Sequence, residues 1–331
     1  MRDWLFALAC VAGCRELQPG ALPKTRVLAP EMPTSTLPAR HAPGPPAPVC
    51  AASPVEVGRV SDPRLDEISG VIESRRNPGL LFVHNDSGDS PRFFAIDRRG
   101  NLRAELSLSS VPLLIDAEDI AQGPGPGGEN FIYLGDTGNN FASFGQGIPR
   151  RKAVLYRFSE PEVPAAEAAQ RLAIAQAFPI VLTFPRGARD VEAFFVEPRT
   201  GDLYLLTKQP ADHRSQLLQA SAATLAAGGG ELRLLAELEL GHAAIPGSTM
   251  PTAASISRDG GRILVRTYDS VLLFRRAAGE SVQAALERPP EELPSPHEPQ
   301  GEAITFVDDD RAFLTLSEGV GPAIHCVQLP D

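Results

Sequence analysis

Three glutamates recur at matching places: Glu118, Glu192 and Glu302 open the short runs Glu118-Asp-Ile-Ala121, Glu192-Ala-Phe-Phe195 and Glu302-Ala-Ile-Thr305. Asp116 and Asp190 stand just ahead of the first two. Carboxylates gathered at one point raise one another's pKa unless a cation, basic side chains or protons compensate. Two polar stretches offer more oxygen, His84-Asn85-Asp86 with Asp89, and Asp136 with Asn139 and Asn140. Carboxylates and amides without a His/Cys cluster suit Ca2+ or Mg2+ better than zinc. The candidate metal ligands are Asp86, Glu118, Asp136, Glu192 and Glu302. A plainer account competes with this one. Asn, Asp and Gly are turn formers, so Asp136-Thr-Gly-Asn-Asn140 reads equally as a loop held by side-chain-to-backbone bonds.

A cation held this way would polarise a substrate oxygen while Glu192, Glu302 or His84 activates water. Those three are the catalytic candidates, and His297 is a second free-standing imidazole. There is no Gly-x-Ser-x-Gly elbow and no His-Glu-x-x-His pair. Gly123-Pro-Gly-Pro-Gly-Gly128 precedes a strand pattern rather than a helix, which makes it a hairpin and not a phosphate loop. Lys208 and Arg266 close apolar runs and either neutralise the glutamates or hold an anionic substrate.

The elements that must position these groups are short β-type runs punctuated by Gly, Pro, Asn and Asp from about Val55 onward. A unit recurs along them. Its copies begin at Ser69-Gly-Val-Ile72, Glu118-Asp-Ile-Ala121, Glu192-Ala-Phe-Phe195, Ala254-Ser-Ile-Ser257 and Glu302-Ala-Ile-Thr305. Each start is followed by two more apolar runs, as in Leu203-Tyr-Leu-Leu-Thr-Lys208 and Leu217-Leu-Gln-Ala220. Pro198-Arg-Thr-Gly201, Arg258-Asp-Gly-Gly261 and Asp308-Asp-Asp310 supply hairpin chemistry. Fourth strands are expected at Leu102 to Leu108, Ile180 to Phe184, Leu232 to Leu240 and Val282 to Leu286. The last unit lacks one, and Val55-Glu-Val-Gly-Arg-Val60 is left over at the other end. Pairing the leftover strand with the last unit closes a ring. The fold expected is therefore all-β: a five-bladed β-propeller closed by an N-terminal strand, with six blades as the alternative. Ala165 to Ala177, rich in Ala, is read as one short inserted helix.

The domain spans residues 54–331. Ahead of it, Trp4 to Gly13 is a short apolar run ending in Val11-Ala12-Gly13-Cys14, a lipobox-like sequence that makes residues 1–14 a lipoprotein-type signal and Cys14 the lipidated residue. Residues 15–53 carry nine prolines and little apolar periodicity, a disordered tether. The expected location is the bacterial cell envelope, outer membrane or periplasmic face, with the membrane as a partner through the anchor. That compartment permits disulfides, and with Cys10 cleaved and Cys14 acylated, Cys50 and Cys326 remain to pair. The net charge of -10 speaks against a nucleic-acid partner. A monomer is expected, binding a small molecule or protein.

The pieces His84-Asn-Asp-Ser-Gly-Asp89, Asp116-Ala-Glu-Asp-Ile-Ala121, Leu134-Gly-Asp-Thr-Gly-Asn-Asn140, Asp190-Val-Glu-Ala193 and Gly301-Glu-Ala303 resemble an uncharacterised group of bacterial exported β-propellers. More distantly the chain is similar to gluconolactonase-type and phytase-like propellers, a likeness that implies a divalent cation at the channel mouth. The lactonase-type group opens its first blade with Glu, where Ser69 stands here, so none of its ligands is carried over. The first functional expectation is a binding module with a polar channel-mouth site. The second is a divalent-metal-dependent hydrolase of a lactone or phosphate ester. A glycoside hydrolase built on three central carboxylates comes third, because Trp4, the sole tryptophan, lies in the presumed signal.

Overall fold

The computed structural model describes residues 49–139, 149–208, 214–241 and 248–330. The apolar run Trp4 to Gly13, Cys10, Cys14, the tether up to residue 48, and Asn140 lie outside the described residues.

Five antiparallel-cored sheets form the blades of a propeller. Blade 1 runs outward through β2 (Ile68–Glu73), β3 (Leu80–Asn85), β4 (Arg92–Asp97) and β5 (Leu102–Leu108). Blade 2 contains β6 (Ala117–Pro124), β7 (Asn130–Asp136), β8 (Lys152–Ser159) and, outermost in the antiparallel set, β10 (Phe178–Thr183). Blade 3 is β11 (Asp190–Val196), β12 (Leu203–Lys208), β13 (Arg214–Ala220) and β15 (Arg233–Glu239). Blade 4 is β16 (Pro251–Ile256), β17 (Arg262–Thr267), β18 (Val271–Arg275) and β19 (Glu291–Leu293). Blade 5 has β20 (Gly301–Val307), β21 (Ala312–Ser317) and β22 (Ala323–Gln328), completed by β1 (Val55–Arg59).

Because each blade is sandwiched between two others, its inner strands, such as β3 and β20, are buried along their whole length, while outer strands such as β5 and β10 alternate. In β3, Leu80 and Phe82 pack toward blade 2, while Leu81 and Val83 pack toward blade 5. Five apolar clusters fill the five interfaces between neighbouring sheets. Burying each large side chain contributes about 1.5–3 kcal/mol. The ring is then a chain of equivalent interfaces with no separate hub.

Closure occurs where expected: β1 pairs antiparallel with β22, with Val55 opposite Cys326. A Cys50–Cys326 disulfide fastens it, the Cα atoms 5.1 Å apart, and Ala51 bridges to Val327. The ordered edge of the propeller thus reaches into the segment assigned to the tether.

Two local expectations are corrected. The Ala-rich stretch 165–177 is no helix: it contains β9 (Gln170–Ile174), which pairs parallel with β5 as a fifth outer strand of blade 1. Partnering on an open edge outweighs helix propensity there. Conversely, Val282–Leu286 is not the fourth strand of blade 4 but a short helix, begun by Ser281, whose hydroxyl accepts from the Ala284 N–H. The fourth strand is β19, further along. A second short α-helix among the described residues, Ala222–Ala226, leads to β14 (Gly229–Glu231), an extra strand on blade 2. Among the described residues no helix is long and apolar enough to cross a membrane.

Candidate functional site at the channel mouth

The five innermost strands share one irregularity. In every blade the register between the first and second strands slips by one residue near the start of the first. The residues at the slip are Ser69, Glu118, Glu192, Thr252 and Glu302, all buried. A bulge leaves its extra residue unpaired and re-aims the side chain, so this ring of five is turned out of the ladder at one end of the channel. Glu118, Glu192 and Glu302 are therefore equivalent by backbone geometry as well as by sequence. In blade 4 the equivalent residue is Thr252, two positions before the Ala254 expected to open that repeat. Two hydroxyls lace the ring together: Ser69 Oγ donates to the Glu118 carbonyl at 2.6 Å, and Thr252 Oγ1 to the Gly301 carbonyl at 2.8 Å.

Around Glu118 the carboxylates converge. Oxygens of Asp86, Asp116 and Glu118 lie within 4.8 Å of one another, as do those of Glu118, Asp190 and Glu192. The two groups share Glu118. Gly138 permits this packing, since a Cβ there would fall 1.9 Å from Glu118 Oε1 and 2.7 Å from the Asp116 carboxyl carbon. Of the five predicted ligands, Asp86, Glu118 and Glu192 belong to these groups. Glu302 stands beside them: its Oε1 accepts from Gln300 Nε2 at 3.1 Å and its Oε2 is buried without a hydrogen-bond partner. Asp136 does not join. It pairs with Arg150 at 2.7 Å and accepts the Asp116 N–H at 3.0 Å, which positions Asp116.

Burial drives the electrostatics, and like charges add to it. Glu118 is pushed well above the ordinary range by desolvation and then by Glu192 and Asp86. Asp86 rises to about 7 through burial and Asp116. Glu302 rises to about 8, chiefly through burial, with Lys208 opposing. Lys208 sits 2.9 Å from Glu192 Oε2. Burial alone would lower its pKa, but the Glu192 charge more than reverses that and keeps it an ammonium. The other oxygen of Glu192, Oε1, is buried with no hydrogen-bond partner.

The remaining candidates lie apart. His84 is fully buried, its Nδ1 2.9 Å from the Asn85 carbonyl, and desolvation holds its pKa down to about 4. Asp89 pairs with Arg92 at 2.8 Å. Asn139 accepts the Arg150 N–H and donates its own N–H to Asp190, so that stretch is held by the local bonds its turn residues suggested. Arg266 pairs directly with Glu298, 3.0 Å away, and its charge also acts on Glu302. Cys50 and Cys326 also approach Asp308, but their disulfide removes them as thiolate ligands. Tyr268, packed over Lys208 at 5.2 Å, went unnoticed in the sequence. Its signal is positional: it follows β17 as Asp86 follows β3 and Lys208 ends β12.

No family model and no curated protein matches this sequence. Among solved structures, the chain is similar to one of "Kuenenia stuttgartiensis Hydrazine Synthase" at 10% identity, TM-score 0.42, covering 82% of this chain and 97% of that one. It is similar to one of the nidogen/laminin complex at 11% identity, TM-score 0.40, covering 76% and 72% respectively.

Proposed function

We propose that this chain is an exported binding module whose channel mouth holds a hard divalent cation, Ca2+ before Mg2+, through Asp86, Asp116, Glu118, Asp190 and Glu192. The carrying observation is the Glu118–Asp190–Glu192 group within 4.8 Å, in which Glu192 keeps one buried oxygen without a partner although Lys208 takes the other. A buried carboxylate oxygen left unsatisfied is costly, and a cation relieves several such oxygens at once. Ca2+ accepts irregular sets of 6–8 oxygens, whereas Mg2+ demands a near-ideal octahedron. Binding stands ahead of hydrolysis because His84, the imidazole among the catalytic candidates, is fully buried on a main-chain carbonyl. The test is the stoichiometry of ions retained after purification in Ca2+ and gel filtration. About one or more per chain agrees; none, with the fold intact, contradicts.

Lipid anchoring through Cys14 belongs to the same proposal. The Cys50–Cys326 disulfide supports it, since disulfides persist in oxidising compartments outside the cytosol. Cys14→Ser should move the protein from the membrane fraction to the soluble envelope fraction. Unchanged membrane association would remove the anchor from the account.

A further inference from the structure

The acidic ring is interrupted at blade 4, where Met250, Thr252 and Tyr268 occupy positions that carry acids in other blades. Beside that gap lies a cavity of about 700 Å3, lined among others by Ser248, Met250, Tyr268, His297, Pro299 and Gln300. Two of its walls are shared with the mouth. Tyr268 carries Lys208 Nζ 5.2 Å from its ring centroid, and Gln300 donates to Glu302. Ser248, 7% exposed, also contributes to its wall.

We propose that this cavity binds a small organic anion, a phosphonate, phosphate or carboxylate on an apolar or cyclic body, whose head completes the coordination of the channel-mouth cation. This rests on the cation reading above. One oxygen from each of the five carboxylates still falls short of the 6–8 that Ca2+ takes, so positions remain for a ligand oxygen. Lys208 adds positive charge on the same side. The apolar body lies against Tyr268, Met250 and Pro299, and His297 and Gln300 offer hydrogen bonds to its polar edge. The volume falls within the range of about 300–1,000 Å3 that small-molecule sites occupy.

The test is calorimetry on the full chain with phenylphosphonate, and with methylphosphonate as the probe lacking a ring, each with and without saturating Ca2+. Phenylphosphonate should bind at least about tenfold tighter than methylphosphonate, and only with Ca2+. Met250→Ala, which adds no charge to the ring, and the exposed His297→Glu should each reduce that preference while leaving Ca2+ binding unchanged; the second variant serves if the first fails to fold. Equal binding of the two probes, Ca2+-independent binding, or no effect of a folded variant overturns the proposal. Failure of Ca2+ itself to bind overturns the cation reading on which it rests, and is seen separately in the metal titration.

Discussion

Lys208 Nζ stands 2.9 Å from Glu192 Oε2, and this pair sets the sign of several expectations. The lysine neutralises one carboxylate within a group that holds more negative charge than it can balance, and it repels any bound cation.

Lys208→Met should therefore tighten Ca2+ binding, by about tenfold or roughly 1.4 kcal/mol, while destabilising the metal-free protein, because Glu192 loses its partner in a buried site. Titration calorimetry and melting of the variant check both signs. Weaker Ca2+ binding in Lys208→Met would mean that the lysine organises the site and does not oppose the ion.

The covalent closure of the ring should carry measurable stability. Cys50 and Cys326 are 276 residues apart in sequence, so their bond restricts a very long loop of the unfolded chain, worth up to about 5–6 kcal/mol in the chain-entropy account. Cys50→Ser/Cys326→Ala should lower the denaturant midpoint accordingly. Equal midpoints for the oxidised and double-variant proteins would show that β1 pairing alone closes the ring.

His84 makes one pH-dependent contribution to stability, opposed in the same range by the buried Asp86 and Glu302, whose raised pKa values favour the native state as pH falls. In the unfolded chain the imidazole takes up a proton below its ordinary pKa of 6.5, whereas burial holds the native value near 4. The unfolded state thus binds more protons between those values. This contribution is fully present above pH 6.5 and is lost as pH falls toward 4, by up to about 3 kcal/mol. His84→Gln should remove this contribution alone, read as the difference between the two proteins' stabilities measured by denaturation from pH 7 to 4. Parallel profiles for the two proteins would contradict the assignment.

Much of this architecture was legible because propeller blades write themselves as apolar triplets with turn residues between them. The leftover strand at Val55 and the missing strand after β22 matched by count alone. What escaped depended on partners distant in sequence. Residues 170–174 became a strand because β5 offered an open edge 66 residues earlier, Ile174 lying opposite Leu108 at the last pair and Gln170 opposite Ala104 at the first. Val282–Leu286 is the local exception, turned helical because the adjacent Ser281 caps it. The three glutamates were visible in register, yet the bulge that aims them was not, and so Ala254 was chosen where Thr252 stands. Arg266 was read toward the glutamates because Glu298, its partner, lies in a connecting segment with no repeat to mark it.

The most direct measurement is the melting temperature of metal-free protein with and without Ca2+, for the natural chain and Glu192→Gln. A ligand that binds only the folded state at 100 times its Kd adds about 2.7 kcal/mol, a rise of several degrees for a domain of this size. The account predicts that rise in the natural chain, its reversal by chelator, and its loss or marked weakening in a folded Glu192→Gln. A melting temperature indifferent to Ca2+, Mg2+ and chelator, with Glu192→Gln neutral or stabilising, would contradict it and leave Lys208 and protons as the compensators of the acidic ring.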